Sequence, residues 1–180
     1  SFTLSTASFP LVLFFYPKDN TPGCSTEVAD FRDQYPAFQA AGCAVLGVSR
    51  DTLKSHENFK AKFALPFELI SDPDEIACEA FGVMKVKSMY GKQVRGIERS
   101  TFLLDADGRV AREWRGVKVP GHVDEVLVPA MKDIVVETFQ SARSEILHRR
   151  NSHQLFGFDF LVDEALKLWL LYCGSPSFLL

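Results

Sequence analysis

No stretch of the 180 residues approaches the roughly 18 consecutive apolar positions that a membrane-crossing helix needs, so no membrane association is expected. The first ten residues, Ser1 to Pro10, have neither the basic start nor the long apolar stretch of a secretory leader. They also lack an initiator Met, which is compatible with a processed or truncated start. Excess positive charge is missing too. With 20 Lys+Arg against 23 Asp+Glu the net charge is −3, which leaves no basic face for nucleic acid. The four cysteines, at 24, 43, 78 and 173, include no CxxC pair, and His56, His122, His148 and His153 show no metal-ligand spacing. The sequence therefore predicts no metal and no cofactor, and assigns the histidines surface or structural roles. Internal repeats and low-complexity segments are absent as well.

What is present builds a core. The hydrophobic share is 47% and includes 16 phenylalanines, enough to bury a domain that needs no disulfide staples. A reducing compartment follows, with the cytoplasm as the expected location and an organellar stroma as the alternative. Each cysteine then needs its own explanation.

The pattern along the chain is that of an α/β layered domain. Leu11 to Tyr16 (LVLFFY) reads as a strand buried on both faces, ended by Pro17 and a turn-rich KDNTPG segment. Val28, Phe31, Tyr35 and Phe38 fall at helical spacing, which predicts one helix from Ser25 to Ala41. Ala44 to Ser49 is a second buried strand. Thr52 to Phe63 reads as a helix with Leu53, Phe59 and Phe63 turned inward. Phe67 to Ile70 and a helix around Glu75 to Phe81 follow. Phe102 to Leu104 and Val110 to Trp114 flank Asp105-Ala106-Asp107-Gly108, a hairpin signal. The chain is helical again from Val123. Beyond Met131 the character changes: a helix to Arg149 and two apolar runs, Leu155 to Val162 and Leu166 to Tyr172, arranged as a hairpin. The expected division is a domain over 1–130 and an extension over 131–180.

Cys24 stands between a buried strand and an amphipathic helix, in the helix's first turn. Unpaired backbone N–H groups and the positive dipole end both favour a thiolate there, so its pKa is expected to fall below the free value of about 8.5. Glu27, three residues on, opposes this unless a cation offsets it. Thr21 places a hydroxyl within reach of the same pocket. Pro17 and Pro22 stiffen the loop and shield the sulfur, and Gly23 permits the turn. The residues alone leave open whether Cys24 is reactive or simply a small residue at a helix start.

FYPKDNTPGCSTEVADFRD, Phe15 to Asp33, resembles the active-site segment of the peroxiredoxins, with their Pro-x-x-x-Thr-x-x-Cys pattern as Pro17, Thr21 and Cys24. LGVSRDTLKSHENF, LPFELISDPDE, KSMYGKQVRGIERSTFLLDADG and WRGVKVPGHVDEVL resemble, in order, the peroxiredoxin Q or bacterioferritin comigratory subgroup, over Leu11 to Leu127. The resemblance implies a thioredoxin-like fold, a mixed sheet flanked by helices, and a thiol-dependent peroxidase acting on hydrogen peroxide and organic hydroperoxides through a sulfenic acid. It makes Cys24 the peroxidatic cysteine, Pro17 and Thr21 its pocket, and Arg99 the active-site arginine. Taken alone, Arg99 reads as a surface charge. The implied partners are a peroxide and a thiol reductant, thioredoxin first, on a monomer or on a dimer formed through the tail.

The chain departs from the subgroup where a second, resolving cysteine would stand. Those positions hold Ala29 and Lys60. Cys43, Cys78 and Cys173 remain, Cys78 being the best internal candidate, and a one-cysteine cycle with an external thiol is favoured. Between the Phe2-Thr3-Leu4 segment and the first strand the chain is also shorter than the subgroup pattern. The tail, Leu155 to Leu171, resembles a late segment of tubulin-tyrosine ligase-like enzymes, with Asp159 matching an acidic magnesium ligand. The Glu and Asn that should follow are replaced by Tyr172, Cys173 and Gly174. An active ligase is not expected. A thioredoxin-type exchanger, which would need CxxC, and a non-catalytic thioredoxin-like protein are the alternatives to the peroxidase.

Overall fold

Leu11–Phe15 (β1) is the strand on which the rest of the domain is hung. All five side chains are buried, and their alternation divides the interior. Val12 and Phe14, with Tyr16 just beyond, enter one cluster; Leu13 and Phe15 enter another on the opposite face. The computed structural model describes residues 10–89, 92–130, 157–162 and 168–174.

β1 pairs in parallel with β2 (Ala44–Ser49), which pairs in parallel with β3 (Glu68–Ser71). On its other side β1 pairs antiparallel with β6 (Ser100–Leu104), and β6 with β7 (Val110–Arg115). The sheet order is β3-β2-β1-β6-β7. The parallel half is connected by helices: α1 (Pro22–Asp33) and α2 (Tyr35–Ala40) between β1 and β2, and α3 (Leu53–Phe63) between β2 and β3. α4 (Ile76–Ala80) leads into an antiparallel pair, β4 (Met84–Met89) and β5 (Lys92–Ile97). Residues 122–130 form a helix, α5. Phe31 of α1, Phe38 of α2, Phe59 of α3 and Val126 of α5 join the first cluster. Cys78 of α4, with Val83, joins the second. Stacking of Phe14 on Phe31, with ring centroids 4.4 Å apart, ties the central strand to the helix that carries Cys24. Each such ring contributes about 2–3 kcal/mol by burial.

The structure differs from the expected elements at four points. The single helix over Ser25 to Ala41 is two helices. Pro36 has no N–H to donate and its ring would strike the carbonyl of Arg32, so α1 ends with Gln34 N–H on Asp30 O at 3.0 Å and α2 starts anew. The first helix also begins earlier, at Pro22, since proline suits the first helical position. Leu53, expected to face inward, is 68% exposed, because the inward site at that end of α3 goes to His56. The β4–β5 pair was not expected at all.

The two tail segments form an antiparallel pair, β8 (Gly157–Val162) and β9 (Leu168–Gly174), as the apolar runs indicated, with a register shift between Asp159 and Phe160. The helix expected over Met131 to Arg149 lies outside the described residues. Among the described residues no helix is long and apolar enough to cross a membrane.

Candidate active site

The register of the sheet assembles the site. Phe15, the last residue of β1, faces Ser100, the first of β6. Arg99 is therefore delivered beside the point where the chain leaves β1 into the Pro17–Thr21 loop. That loop enters α1 with Thr21 as N-cap and Pro22, Gly23 and Cys24 as the first three helical residues. Two positions 75 apart in sequence thus meet: Arg99 Nη2 donates to Cys24 Sγ at 3.2 Å. The sulfur is buried, with Cys24 0% exposed, so this contact is shielded from water. A carbon added at Gly23 would lie 3.3 Å from the same Nη2, which shows how closely the guanidinium lies on the loop.

The second arm of the guanidinium, Nη1, donates to Glu27 Oε2. Cys24 and Glu27 are three residues apart on one helix face, so one planar fork spans both. This identifies the cation that the glutamate needed. Glu27 is 0% exposed, and its other oxygen, Oε1, has no hydrogen-bond partner among the described residues. Burial pushes its carboxyl up to about 7, with the Arg99 charge and hydrogen bond acting in the opposite direction. Burial works against the charge of Arg99, but Glu27 and the Cys24 sulfur outweigh it and hold the guanidinium above its ordinary value. Behind Arg99, Thr101 Oγ1 lies 2.8 Å from His122 Nε2. Burial, with the Arg99 charge adding to it, lowers the pKa of that histidine against the pull of Glu125.

The other residues expected at the site are placed less directly. Thr21 Oγ1 donates to Lys18 O at 3.0 Å, leaving its lone pairs for a further donor. Pro17 is exposed and lines a shallow depression with Lys18, Arg50, Asp51 and Pro73. Cys78 belongs to the cluster of Leu13 and Phe15, across the sheet from the cluster that holds Cys24. Burial, then the hydrogen bond and charge of Asp72, push its thiol up to about 12. Cys43 shares the face of Cys24, but Ala44 pairs with Leu11, putting Cys43 at the far end of β1. A strand of that length spans about 17 Å. At the Lys60 position the ammonium pairs with Glu68. The side chain of Cys173 lies outside the described residues.

Sequence reasoning missed Asp19 and His56. The buried Asp19 carboxylate accepts from Tyr16 Oη at 2.8 Å and Ser55 Oγ at 2.6 Å, and His56 Nδ1 lies 3.1 Å from it. Burial alone would raise the Asp19 carboxyl; hydrogen bonds from His56, Ser55 and Tyr16 instead hold it below its ordinary range. The position of Asp19 inside the PKDNTPGC segment was a signal available in the sequence; nothing marked His56.

The model of the AhpC/TSA family matches residues 1–113. The chain belongs to the AhpC/TSA family. Peroxiredoxin Bcp of Xanthomonas campestris is 61% identical over 117 residues, covering 65% of this chain and 73% of that one. Peroxiredoxin Bcp of Bacillus subtilis is 50% identical over 124 residues, covering 69% and 78%. A structure of the bacterioferritin comigratory protein of Xanthomonas campestris, studied for alkyl peroxide reduction, superposes with a TM-score of 0.65 at 58% identity, over 67% of this chain and 76% of that one. Peroxidoxin BcpB of Mycobacterium tuberculosis gives 0.62 at 29% identity, over 71% and 81%. The chain is therefore a peroxiredoxin of the Bcp or Q type, with the thioredoxin-like fold and the thiol peroxidase activity of that group. A second model, the tubulin-tyrosine ligase family, matches residues 89–178. Its first part overlaps β5, β6 and β7, of which β6 and β7 belong to the five-stranded sheet.

Proposed function

We propose that Cys24 is the peroxidatic cysteine, that Arg99 and Thr21 act directly on the peroxide, and that Pro17 fixes the start of their loop. The observation that carries this reading is the single guanidinium touching both the Cys24 sulfur and Glu27. The guanidinium stands 3.2 Å from the sulfur, where it faces the negative charge of the attacking thiolate. The thiolate attacks the terminal oxygen of ROOH. The S–O bond forms as the O–O bond breaks, and the electron pair leaves on RO⁻, which takes a proton from solvent and departs as alcohol or water. Sulfur is oxidised to the sulfenic acid and the peroxide is reduced. Arg99 faces the negative charge as it moves from sulfur to the leaving oxygen.

Reduction is proposed to follow a one-cysteine cycle. An external thiol condenses with the sulfenic acid, releasing water and leaving a mixed disulfide, and a second thiol then frees Cys24. Thioredoxin is the proposed reductant. Burial of Cys78 on the opposite face of the sheet, and the distance to Cys43, support an external thiol. The proposed boundary at residue 130 keeps the whole five-stranded sheet and α5 in one unit. Peroxide consumption by wild type and Cys24→Ser tests the reading: loss of turnover is expected in the variant, and unchanged turnover would overturn it. A stoichiometric Cys24–Cys78 disulfide after peroxide would overturn the one-cysteine cycle.

A further inference from the structure

Within its own sequence the loop that presents Thr21 and Cys24 is held by the Thr21 Oγ1 hydrogen bond to Lys18 O. It contains Pro17, and Asn20 adopts a left-handed conformation at φ 59°. Its fixed point is Asp19, which is only 5% exposed. The carboxylate takes hydrogen bonds from Tyr16 at the end of β1 and from Ser55 on α3, and faces His56 Nδ1. The Asp19 backbone N–H donates to Asp51 Oδ2 at 2.8 Å, and the same oxygen accepts from Ser49 Oγ at 2.8 Å. His56 is 3% exposed and is itself held, with Nε2 3.3 Å from Ile70 O at the edge strand. The Asp19 side chain thereby ties the loop to β1 and α3, its backbone N–H ties it to β2 through Asp51 and Ser49, and His56 extends the cluster to β3.

Stability alone is a weak reason for such a cluster, since a buried ionic group can often be replaced by well-packed apolar residues at no loss. What apolar packing cannot supply is a fixed direction for the loop. Asp19 lies two residues before Thr21 and five before Cys24, so its displacement moves both the hydroxyl and the first-turn N–H groups. Displacing one oxygen of a peroxide requires sulfur, oxygen and leaving group in line, and a misplacement of about 1 Å can cost about a hundredfold in rate.

We propose that Asp19, held in place by His56 and Ser55, is a positioning residue that sets the peroxide-orienting geometry of the Pro17–Cys24 loop; this rests on the reading of Cys24 and Thr21 above. A small alkylating agent needs the thiolate but not an oriented O–O bond, so the two reagents separate positioning from general structural support.

The experiment measures the rates of reduced protein with hydrogen peroxide and with iodoacetamide, at one pH, for Asp19→Asn, His56→Ala, His56→Asn and Ser55→Ala. In Asp19→Asn and His56→Ala the peroxide rate is expected to fall about tenfold to a hundredfold, with alkylation of Cys24 changed less than about twofold. His56→Asn, whose side-chain amide reaches the place of Nδ1, is expected to recover most of that loss. Ser55→Ala, the mildest change and the one to rely on where Asp19→Asn does not fold, is expected to lose about threefold. Peroxide rates within twofold of wild type in the folded variants overturn the proposal. So does a parallel change in both rates, which would mark a merely structural role. Cys24→Ser run alongside separates the two levels: retained turnover there removes the underlying reading. An inactive Cys24→Ser beside an unaffected Asp19→Asn removes only the positioning role.

Discussion

Replacing Glu27 by Gln removes one charge from the protein interior while keeping its shape, and the consequence for stability can be worked out. The folded-state value of about 7 stands against 4.5 for an ordinary glutamate, raised by burial in spite of Arg99. Below pH 4.5 the group is protonated in folded and unfolded chains alike and contributes nothing. Between 4.5 and 7 the unfolded chain releases a proton that the folded chain keeps, so stability falls as pH rises, by about 1.4 kcal/mol per pH unit. Above 7 the loss is complete, at about 3 kcal/mol in all. Glutamine does not titrate. The difference in unfolding free energy, Glu27→Gln minus wild type, is therefore expected to grow by about 3 kcal/mol between pH 4.5 and pH 7.5. Urea unfolding in a Cys24→Ser background, where the thiol neither oxidises nor ionises, measures it. Other carboxylates titrate in both proteins and cancel. A difference that stays flat, or that shrinks as pH rises, would refute the reasoning: the ion pair with Arg99 would then outweigh the burial of the carboxylate.

Arg99→Lys keeps the charge but cannot fork to both Cys24 and Glu27, and is expected to slow peroxide reduction about a hundredfold in a stopped-flow assay. Gly23→Ala sets two effects against each other: alanine favours the helix by up to about 1 kcal/mol, but its carbon would press on Arg99 Nη2. Thermal unfolding should show unchanged or higher stability while the peroxide rate falls about threefold or more. Cys78→Ala should leave turnover with an external thiol unchanged, at a stability cost of about 1 kcal/mol seen in urea unfolding.

Much of the fold could be read from local pattern. The LVLFFY run is the buried central strand. The Asp105–Gly108 turn forms as its residues suggest, with the Asp105 carboxylate accepting from Asp107 and Arg109 N–H. Helical spacing from Val28 to Phe38 identified the right buried face and hid the break, since the apolar stripe continues across Gln34 while Pro36 ends the hydrogen bonding. The β4–β5 pair is hard to read because its strands are short and rich in charge, with Lys85, Lys87, Lys92 and Arg95, and the alternation of Met84 to Lys87 stops at Ser88. At the site, a helix-start cysteine is a local feature and was legible. The Cys24–Arg99–Glu27 fork depends on β1–β6 register, which no local pattern states, so resemblance supplied Arg99 and the sequence left the partner of Glu27 open. The Asp19–His56 contact spans 37 positions between two polar residues, each of which reads alone as surface.

The most direct measurement is peptide mapping after one equivalent of peroxide, with a reagent that traps sulfenic acids. Label on Cys24 in wild type, and its loss or sharp reduction in Arg99→Ala at equal reaction time, is the expected result. Label on Cys43 or Cys78 with Cys24 unmodified, or undiminished labelling of Cys24 without the arginine, would contradict the claim that this guanidinium activates this sulfur.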